Sequence, residues 1–347
     1  MDVIALTKEL VGIPSITNDE GTVGRWIADR LAAQGWHVQT QEIPPEGEAK
    51  PALPRLNVLA LSDLDGPPEV VLTTHLDTVP PFIPVREEGD YLYGRGTCDA
   101  KGIFAAQWVA AEGLRKAGVK RIALLGVVGE ETDSWGAKKV HELLPKAGYL
   151  VDGEPTELVP ASGAKGILAL SVRAKGKAAH SAYPEQGHSA LHDLIPALAR
   201  VLAAELPFLP EYGPSTANVG LIQGGVAPNV LAPAATASVL IRLGAPSAQV
   251  LAAVQPLLGP ELEFEITSRA EPHPILVPEG QQGEVVRFGS DVPYLQRIGT
   301  PLLVGPGSIH DAHTAGEKVK KADLLAAVEL YTQITRALLA LPKEVKA

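Results

Sequence analysis

The pattern of apolar residues changes twice along the chain, and this change constrains the fold more than any other feature. In the N-terminal third, short β-rich apolar runs alternate with helical segments; the runs include NVLALSDL, EVVLTTHL and RIALLGVVG, and the helical segments include FAAQWVAAEGLRKAG. Short buried strands separated by helices are typical of an α/β sheet with substantial parallel pairing. The sequence therefore predicts an α/β fold for this part.

The middle of the chain carries a different order of elements. We predict strands in GILALSVRAKGKA, STANVGLIQGG, ATASVLIRLG and ELEFEITSR, and helices in ALHDLIPALARVLAAEL and SAQVLAAVQPLL. The order strand–helix–strand–strand–helix–strand matches a ferredoxin-like domain. The α/β pattern then returns and ends in the helical segment DLLAAVELYTQITRALLAL. We therefore predict an α/β domain of residues 1–163 and 273–347, interrupted by an inserted α+β domain of residues 164–272.

Composition limits the classes of protein to consider. No run of apolar residues is long enough to span a membrane, and MDVIALTKEL lacks the features of a signal peptide, so we expect a cytoplasmic protein without membrane contact. The net charge of −10 argues against nucleic acid as a partner. Cys98 is the only cysteine, which excludes an intrachain disulfide and a thiolate-based zinc site.

Metal-capable side chains follow the apolar runs in five segments. They are His75 and Asp77 in HLD, Asp99 in GRGTCDAKG, Glu130 and Glu131 in GEE, Asp152 and Glu154 in DGEPT, and His310 and His313 in GPGSIHDAH. Each motif alone is more often structural or a solvated turn. Strand ends meet at one edge of an open α/β sheet, however, so their shared placement favours a common site. Imidazole and carboxylate ligands without thiolate suit zinc, cobalt or manganese.

Other chemistries fit the chain less well. GRGTCDAKG departs from the dinucleotide-binding pattern G-x-G-x-x-G, because Asp99 occupies the position of the third glycine. No G-x-S-x-G motif of a serine hydrolase is present. Cys98 lacks the sequence context of a catalytic cysteine and is expected to be a small packing residue.

The five motifs, in this order, resemble the dinuclear metalloamidase family of acetylornithine deacetylase and succinyl-diaminopimelate desuccinylase. Glutamate carboxypeptidases and aminoacylases belong to the same family. The resemblance spans nearly the whole chain, and GRGTCDAKG and GPGSIHDAH are most similar to the branch that hydrolyses lysine or ornithine from an amino-group carrier protein. It implies a zinc-aminopeptidase-like catalytic domain that is interrupted by a ferredoxin-like lid and dimerisation domain.

The resemblance also implies a role for each metal-capable residue. His75 and Glu154 are expected to bind one of two divalent metal ions, zinc or alternatively cobalt. Glu131 and His313 are expected to bind the other, and Asp99 to bridge the two. His313 is preferred over His310 because the spacing of GPGSIHDAH matches the family motif at His313.

Two acids near these ligands receive other roles from the same resemblance. Asp77 is expected to orient His75, since a His-x-Asp pair on a strand shares one face. Glu130 is expected to be the general base, which accepts a proton from water and returns it to the leaving amine. Asp152 is expected to lie outside the ligand set.

In the inserted domain, the resemblance implies three further residues. His180 in KAAHSAYPEQ is expected to reach the active site of the neighbouring subunit, which would make a homodimer necessary for activity. Asn229 and Arg242 are expected to bind the substrate, with Arg242 gripping its α-carboxylate. Leu240 stands where family members commonly carry an acid.

These residues predict a metal-dependent amide hydrolase that releases lysine or ornithine from an amino-group carrier protein in amino-acid biosynthesis. Three alternatives stay open from the sequence: a deacetylase of N-acetylornithine or N-acetyllysine, a metallo-carboxypeptidase, and a non-catalytic member that binds amino acids. The expected partners are a second copy of the chain and either the carrier protein or a small N-acyl amino acid.

Overall fold

A computed structural model describes residues 1–45, 47 and 51–341. The helices are α1 (Val3–Val11), α2 (Gly21–Ala33), α3 (Lys101–Lys116), α4 (Trp135–Leu143), α5 (Ala190–Ala203), α6 (Ser247–Leu258), α7 (Val292–Leu295) and α8 (Lys321–Ala340). The first eight strands are β1 (His37–Ile43), β2 (Arg55–Leu61), β3 (Val70–His75), β4 (Arg86–Glu88), β5 (Tyr91–Tyr93), β6 (Ile122–Val127), β7 (Tyr149–Asp152) and β8 (Ala161–Ala164). The remaining strands are β9 (Gly166–Lys175), β10 (Thr216–Gly224), β11 (Ala234–Leu243), β12 (Leu262–Ala270), β13 (His273–Pro274), β14 (Glu284–Val286), β15 (Thr300–Leu303) and β16 (Lys318–Lys320).

Contacts divide the chain into two compact units. Unit 1 comprises Met1–Ser162, Ile275–Glu284 and the chain from Ser290 onward, and unit 2 comprises Gly163–Pro274 and Val285–Gly289. The short segment Val285–Gly289 belongs to unit 2, where the carbonyl oxygen of Val286 accepts a hydrogen bond from the Lys165 amide. The boundaries expected from the sequence differ here, because they assigned all residues after 272 to the α/β domain.

Unit 1 is built on a six-stranded sheet in the order β1-β2-β6-β3-β7-β15. β3 runs parallel to both β6 and β7, and β15 runs parallel to β7, whereas β1 and β2 add an antiparallel edge. Every residue of β3 and of β6 is buried. Burial on both faces explains why these strands read as continuous apolar runs, and it agrees with the predicted parallel pairing.

Two apolar layers cover the faces of this sheet. On one face, Leu72 belongs to the same buried cluster as Phe104 and Trp108 of α3 and Tyr331 of α8. On the other face, the neighbouring Val71 belongs to a cluster with residues of α4 and α7. Because successive strand residues point to opposite faces, one short strand serves both layers. Full burial of each such side chain contributes about 1.5–3 kcal/mol.

Unit 2 contains a four-stranded antiparallel sheet in the order β10-β11-β9-β12. In chain order its elements are β9, α5, β10, β11, α6 and β12, which is the ferredoxin-like arrangement predicted from the sequence. One sheet face packs against α5 and α6 through an apolar cluster that includes Leu170, Val239, Leu194 and Val250. The strand β10 lies at an edge of this sheet.

Two small sheets and one short helix complete the structure. β4, β5 and β16 form one sheet in the order β16-β5-β4, and β8, β13 and β14 form the other in the order β13-β8-β14. Where the α/β pattern was expected to return after residue 272, the segment VVRFGSDVPYLQRI forms the end of the short strand β14 and the four-residue helix α7. None of the helices in the described part of the chain is long and apolar enough to cross a membrane.

Candidate metal centre

Three parallel strands of unit 1, β3, β6 and β7, end side by side at one edge of the sheet. His75, the last residue of β3, lies opposite Val127, the last residue of β6. On the other side of β3, Thr73 pairs with Asp152, and the Gly153 amide donates to the carbonyl oxygen of Thr73 at 2.8 Å. The segments that follow β6 and β7 therefore begin beside His75.

The first group of possible ligands comprises His75, Asp99 and Glu154, all of which are buried. The His75 Nε2 atom lies 2.9 Å from Asp99 Oδ1 and 4.0 Å from Glu154 Oε1. One donor atom from each residue lies within 4.8 Å of the others. This spacing and donor set suit a divalent cation such as zinc, which takes imidazole nitrogen and carboxylate oxygen ligands.

The second group comprises Asp99, Glu131 and His313. The His313 Nε2 atom lies 2.9 Å from Glu131 Oε2 and 3.3 Å from Asp99 Oδ2. The side chain of His313 is 52% exposed, and the residue has a left-handed backbone with a φ of 61°. Asp99 belongs to both groups and turns a different oxygen to each histidine, which is the arrangement required of a shared ligand.

Asp77 organises the turn of Gly129–Glu131, here called the Glu130 turn. Its Oδ1 accepts the amides of Gly129 and Glu130 at 3.0 and 3.1 Å, and its Oδ2 accepts the Glu131 amide at 3.2 Å. The Thr17 hydroxyl also donates to Oδ2, at 2.9 Å. Although burial opposes ionisation, the hydrogen bonds from His75, Thr17 and the backbone lower the pKa of Asp77.

The same residue also contacts the His75 ring, but largely through its main chain. The Nδ1 atom of His75 lies 3.0 Å from the Asp77 carbonyl oxygen and 3.5 Å from its Oδ1. Nδ1–H donation to this carbonyl would leave Nε2 free to bind a metal ion. The predicted His-x-Asp partnership is thus present, with most of the carboxylate's bonds directed to the Glu130 turn instead.

The carboxylates at this edge are crowded. Burial raises the pKa of Glu130 well above its usual value, and the nearby acids Asp291, Glu131 and Asp99 raise it further. The pKa of Glu154 is raised by burial, by Glu130 and by Asp99. Concentrated negative charge of this kind is relieved by bound cations.

In the metal-free protein, His75 and His313 supply positive charge beside these carboxylates. Hydrogen bonds that the His313 ring donates to the carboxylates of Asp99 and Glu131 raise its pKa to about 10. Despite burial, hydrogen bonds with Asp77 and Asp99 also raise the pKa of His75. The Glu131 Oε1 atom is buried without a hydrogen-bond partner among the described residues. A carboxylate oxygen without a partner, in a group that also holds the His313 imidazole and the Asp99 carboxylate, indicates that the residues present fit divalent cations.

Glu130 belongs to neither group of possible ligands. Its amide is held by Asp77, whereas the carboxylate of the next residue contacts His313. The structure therefore separates the two adjacent glutamates: Glu131 lies among the ligands, and Glu130 lies beside them with a raised pKa. A carboxylate with a raised pKa near the ligands has the properties of a proton acceptor and donor.

Several residues near the centre remain outside both groups. His310 is exposed, and its amide lies 3.4 Å from the Ser308 hydroxyl. Asp152 is buried, and burial together with Asp291 raises its pKa. Burial raises the pKa of Asp291 to about 7, and this residue lies outside the five motifs. Cys98 is buried with its Sγ atom 3.3 Å from the Ser308 carbonyl oxygen, which agrees with a packing role.

In unit 2, two of the three predicted residues lie together. The Ser181 amide donates to the Asn229 carbonyl oxygen at 2.9 Å, and His180 forms a β-bridge with Val230. Both His180 and Asn229 are exposed. The His180 Nδ1 atom accepts the Ala182 amide at 3.1 Å, which leaves Nε2 directed away from this bond.

Arg242 lies near the other end of the same sheet. It pairs with Thr216 of β10 and with Ile167 of β9. Arg242 is half-buried and has no ion-pair partner among the described residues. Partial burial lowers its pKa. An unpaired, partly desolvated guanidinium is suited to binding a carboxylate.

Comparisons with known proteins agree with this geometry. A family model described as Peptidase family M20/M25/M40 matches residues 71–337. The chain belongs to this family. It is similar to a protein of Aspergillus oryzae named "Probable carboxypeptidase", with 37% identity over an alignment of 380 residues that covers 97% of this chain and 87% of the relative. The protein is therefore an enzyme of the metallohydrolase class.

Two solved structures share the fold. A tripeptidase from Staphylococcus aureus has a TM-score of 0.79 at 23% identity, with 97% of this chain and 98% of that chain covered. A dinuclear metal-binding peptidase of family M20 from Bacillus subtilis has a TM-score of 0.69 at 14% identity, with 98% and 97% covered. These matches confirm the predicted fold class. Membership of the carrier-protein hydrolase branch stays a prediction.

Proposed function

We propose that the protein hydrolyses the amide bond between an acyl group and the amino group of an amino acid that carries a free α-carboxylate. The observation that supports this most is the separation of Glu130 from the two ligand groups. Asp77 accepts the Glu130 amide. The Glu130 carboxylate has a raised pKa and belongs to neither ligand group. A family member with a complete ligand set and an uncommitted carboxylate has what amide hydrolysis requires.

We propose that the centre holds two divalent cations, zinc or alternatively cobalt. His75 and Glu154 would hold one, Glu131 and His313 the other, and Asp99 both. When bound, the cations would polarise the amide carbonyl and increase the acidity of the attacking water. The named B. subtilis structure, described as dinuclear, supports the number of cations.

The residues of this chain perform the remaining steps. Glu130 accepts a proton from the attacking water and transfers it to the nitrogen of the leaving amine. Burial raises the pKa of Glu130 and so favours its protonated form more than in water, and one carboxyl group can accept the proton and then donate it. Asp77 keeps the Glu130 turn fixed through three backbone hydrogen bonds, so that the carboxylate needs no rearrangement between the two transfers. Arg242 binds the α-carboxylate of the substrate.

For the substrate, we propose lysine or ornithine linked through its amino group to an amino-group carrier protein. This assignment is supported by the resemblance of GRGTCDAKG and GPGSIHDAH to that branch of the family. A second candidate is a peptide with a free C-terminus, because the A. oryzae relative is named a carboxypeptidase. Both substrates present an acylated amine beside a free carboxylate, so the same residues would serve either.

A direct comparison of substrates tests this proposal. The zinc-loaded protein is assayed for release of free amino acid from a lysine–carrier conjugate, a peptide ending in lysine, N-acetyllysine and N-acetylornithine. The expected result is the highest kcat/KM with the carrier conjugate. Preference for the peptide would replace the first candidate with the carboxypeptidase, and preference for the acetyl compounds would make the protein a deacetylase. No turnover of any substrate by the metal-loaded protein would favour a non-catalytic binding role and overturn the proposal.

We also propose that the protein is a homodimer and that unit 2 provides the interface. The edge strand β10 exposes Leu221 and Ile222, at 63% and 50% of their surface. On the neighbouring helix α5, Ile195 and Leu202 are 52% and 53% exposed. Unpaired sheet edges with exposed apolar side chains favour pairing with another strand, and a symmetric dimer satisfies both edges at once. Cytoplasmic location stays a prediction from the sequence.

A further inference from the structure

We propose that Glu317 is a positioning residue for Asp99, and that it fixes the loop Gly94–Ala100, here called the Asp99 loop. In this role it would keep the two oxygens of Asp99 directed to different histidines. The inference rests on the proposed function through the role of Asp99 as a shared ligand. Glu317 is 1% exposed and lies four residues beyond the end of GPGSIHDAH, outside every motif of the sequence analysis.

One oxygen of Glu317 collects the backbone donors of the Asp99 loop. Its Oε1 atom accepts the amide of Gly96 at 2.8 Å and the amides of Cys98 and Asp99 at 3.3 Å each. A buried amide without a partner is destabilising, so without Glu317 the loop would be disfavoured in this conformation. The bond to the Asp99 amide acts on the residue whose side chain is shared by the two ligand groups.

The other oxygen of Glu317 is held by a buried arginine. Arg95 Nη1 donates to Glu317 Oε2 at 2.5 Å, and the side chain of Arg95 is 2% exposed. Replacing a buried ion pair with apolar residues is often neutral or stabilising, so a gain in stability alone does not account for such a pair. Here the pair ties Glu317 to the loop a second time, because Arg95 itself belongs to the Asp99 loop and Glu317 also accepts amides of the loop backbone.

The main chain places Glu317 where its side chain can act. β16 pairs with β5 with Lys318 opposite Tyr93, and the Gly94 amide donates to the Glu317 carbonyl oxygen at 3.0 Å. The same short segment carries His313, whose ring contacts the Asp99 carboxylate at 3.3 Å. One segment therefore supplies both a side chain that contacts the Asp99 carboxylate and a side chain that holds the Asp99 backbone.

The parallel with Asp77 strengthens this assignment. Asp77 accepts three successive amides of the Glu130 turn, and Glu317 accepts three amides of the Asp99 loop. Each acid is buried, and neither belongs to a ligand group. The turns that carry Glu131 and Asp99 are thus each fixed by one buried carboxylate. Residues that orient metal ligands in this way typically change metal affinity or activity by 10–100-fold when mutated.

The test is the zinc affinity of the metal-free full-length protein, measured by competition with a chromophoric chelator and without substrate. Glu317→Gln is expected to weaken zinc binding about 10–100-fold and to lower kcat with little change in KM. Glu112→Gln is the matched control, since Glu112 is also buried and bonded to an arginine, Arg115 at 3.0 Å. The control is expected to lose stability but to bind zinc as the wild type does.

Two further variants separate positioning from stability. Glu317→Asp keeps the charge but shortens the side chain, so it is expected to fold and still to lose zinc affinity. In Glu317→Gln with Arg95→Met, the unpaired buried guanidinium is removed, and thermal stability is expected to recover relative to the single variant. Zinc affinity is expected to stay low in this double variant, since the charged acceptor of the loop amides is still missing.

The outcomes distinguish this inference from the proposed function. Zinc binding as tight as wild type in both Glu317→Gln and Glu317→Asp would overturn the positioning role. Recovery of affinity together with stability in the double variant would do the same. A wild type that binds two zinc ions but hydrolyses no substrate would overturn the proposed function alone, provided the Glu317 variants still bind weakly. A wild type that binds no zinc would overturn both.

Discussion

The predicted functional residues of unit 1 and those of unit 2 occupy very different surroundings. In unit 1, His75, Asp99 and Glu154 are buried, and one donor atom from each lies within 4.8 Å of the others. In unit 2, His180 and Asn229 are exposed, and Arg242 is half-buried without an ion-pair partner in the described chain. The first set has a formed network of contacts, whereas the second set has few contacts of its own.

This difference is informative about chemistry. A metal centre needs its ligands fixed before the cation arrives, because reorganising buried charges on binding would cost affinity. Residues that recognise a substrate or a second subunit complete their contacts only when that partner is present. We therefore expect substitutions in unit 1 to affect metal content or the chemical step, and substitutions in unit 2 to affect substrate binding or cooperation between subunits.

The sharpest test within unit 1 uses its two adjacent glutamates. Glu130→Gln is expected to lower kcat by about 10²–10⁴-fold at unchanged metal content, because it removes only proton transfer. Glu131→Gln, the same chemical change one residue later, is expected to lose metal as well, because Glu131 contacts His313 at 2.9 Å. Metal analysis and turnover of both variants check the assignment, which would be reversed if Glu130→Gln lost metal and Glu131→Gln kept it.

The second test asks whether unit 2 acts across a dimer. His180→Ala is expected to lower kcat about 10²–10³-fold, the usual effect of removing one group that stabilises the transition state. Mixed dimers of inactive His180→Ala and inactive Glu130→Gln subunits are expected to regain activity, since one active site would then have both residues. His192→Ala, another exposed histidine of unit 2, is the control and should remain active. Verified mixed dimers without recovered activity would contradict action between subunits.

A third, smaller effect is expected at Arg242. Losing a charge-assisted hydrogen bond to the substrate carboxylate costs about 1.5–3 kcal/mol, so Arg242→Leu should raise KM about 10–100-fold with a smaller change in kcat. Arg173→Leu is the matched control on the same sheet. Arg173 forms an exposed ion pair with Glu265 at 2.8 Å, and such pairs contribute little. Steady-state kinetics of both variants measure the change in KM. Equal changes in the two variants would show that Arg242 does not bind the substrate carboxylate.

The sequence was most informative where chemistry and local order coincide. Glu130 and Glu131 follow an apolar run, and a parallel sheet brings strand ends together, so their position near His75 could be predicted without a structure. The ferredoxin-like order of unit 2 was readable for a similar reason, because its strands and helices have clear and different periodicities. Both predictions depended on patterns within short windows of the chain.

Contacts between distant segments could not be predicted from patterns within short windows of the sequence. Glu317 bonds to the Asp99 amide across 218 residues, and it lies in the segment GEKVK, which looks like a solvated surface. Thr17 and the fully buried pair of Glu20 and Arg55 likewise lie outside every motif of the sequence analysis. Their burial is decided by tertiary packing, and no local periodicity reports it. Sequence patterns therefore missed Glu317, which holds the Asp99 loop, whereas Asp77, which holds the Glu130 turn, was found through the motif HLD.

The smallest expected effect concerns how protons compete with the metal in unit 1. The pKa of His313 is raised to about 10, so in the metal-free protein its ring is protonated at neutral pH. Cation binding must then displace this proton, and apparent zinc affinity should increase by up to about 10-fold per pH unit as the pH rises from 6.5 towards 10. Chelator competition at pH 6.5, 7.5 and 8.5 measures the slope. His310→Ala, which alters an exposed histidine outside both ligand groups, should leave the slope unchanged, whereas His313→Ala should reduce it. An equal slope in wild type and His313→Ala would mean that the displaced proton comes from another residue, and the contact of His313 with Asp99 and Glu131 would then lose its role in metal binding.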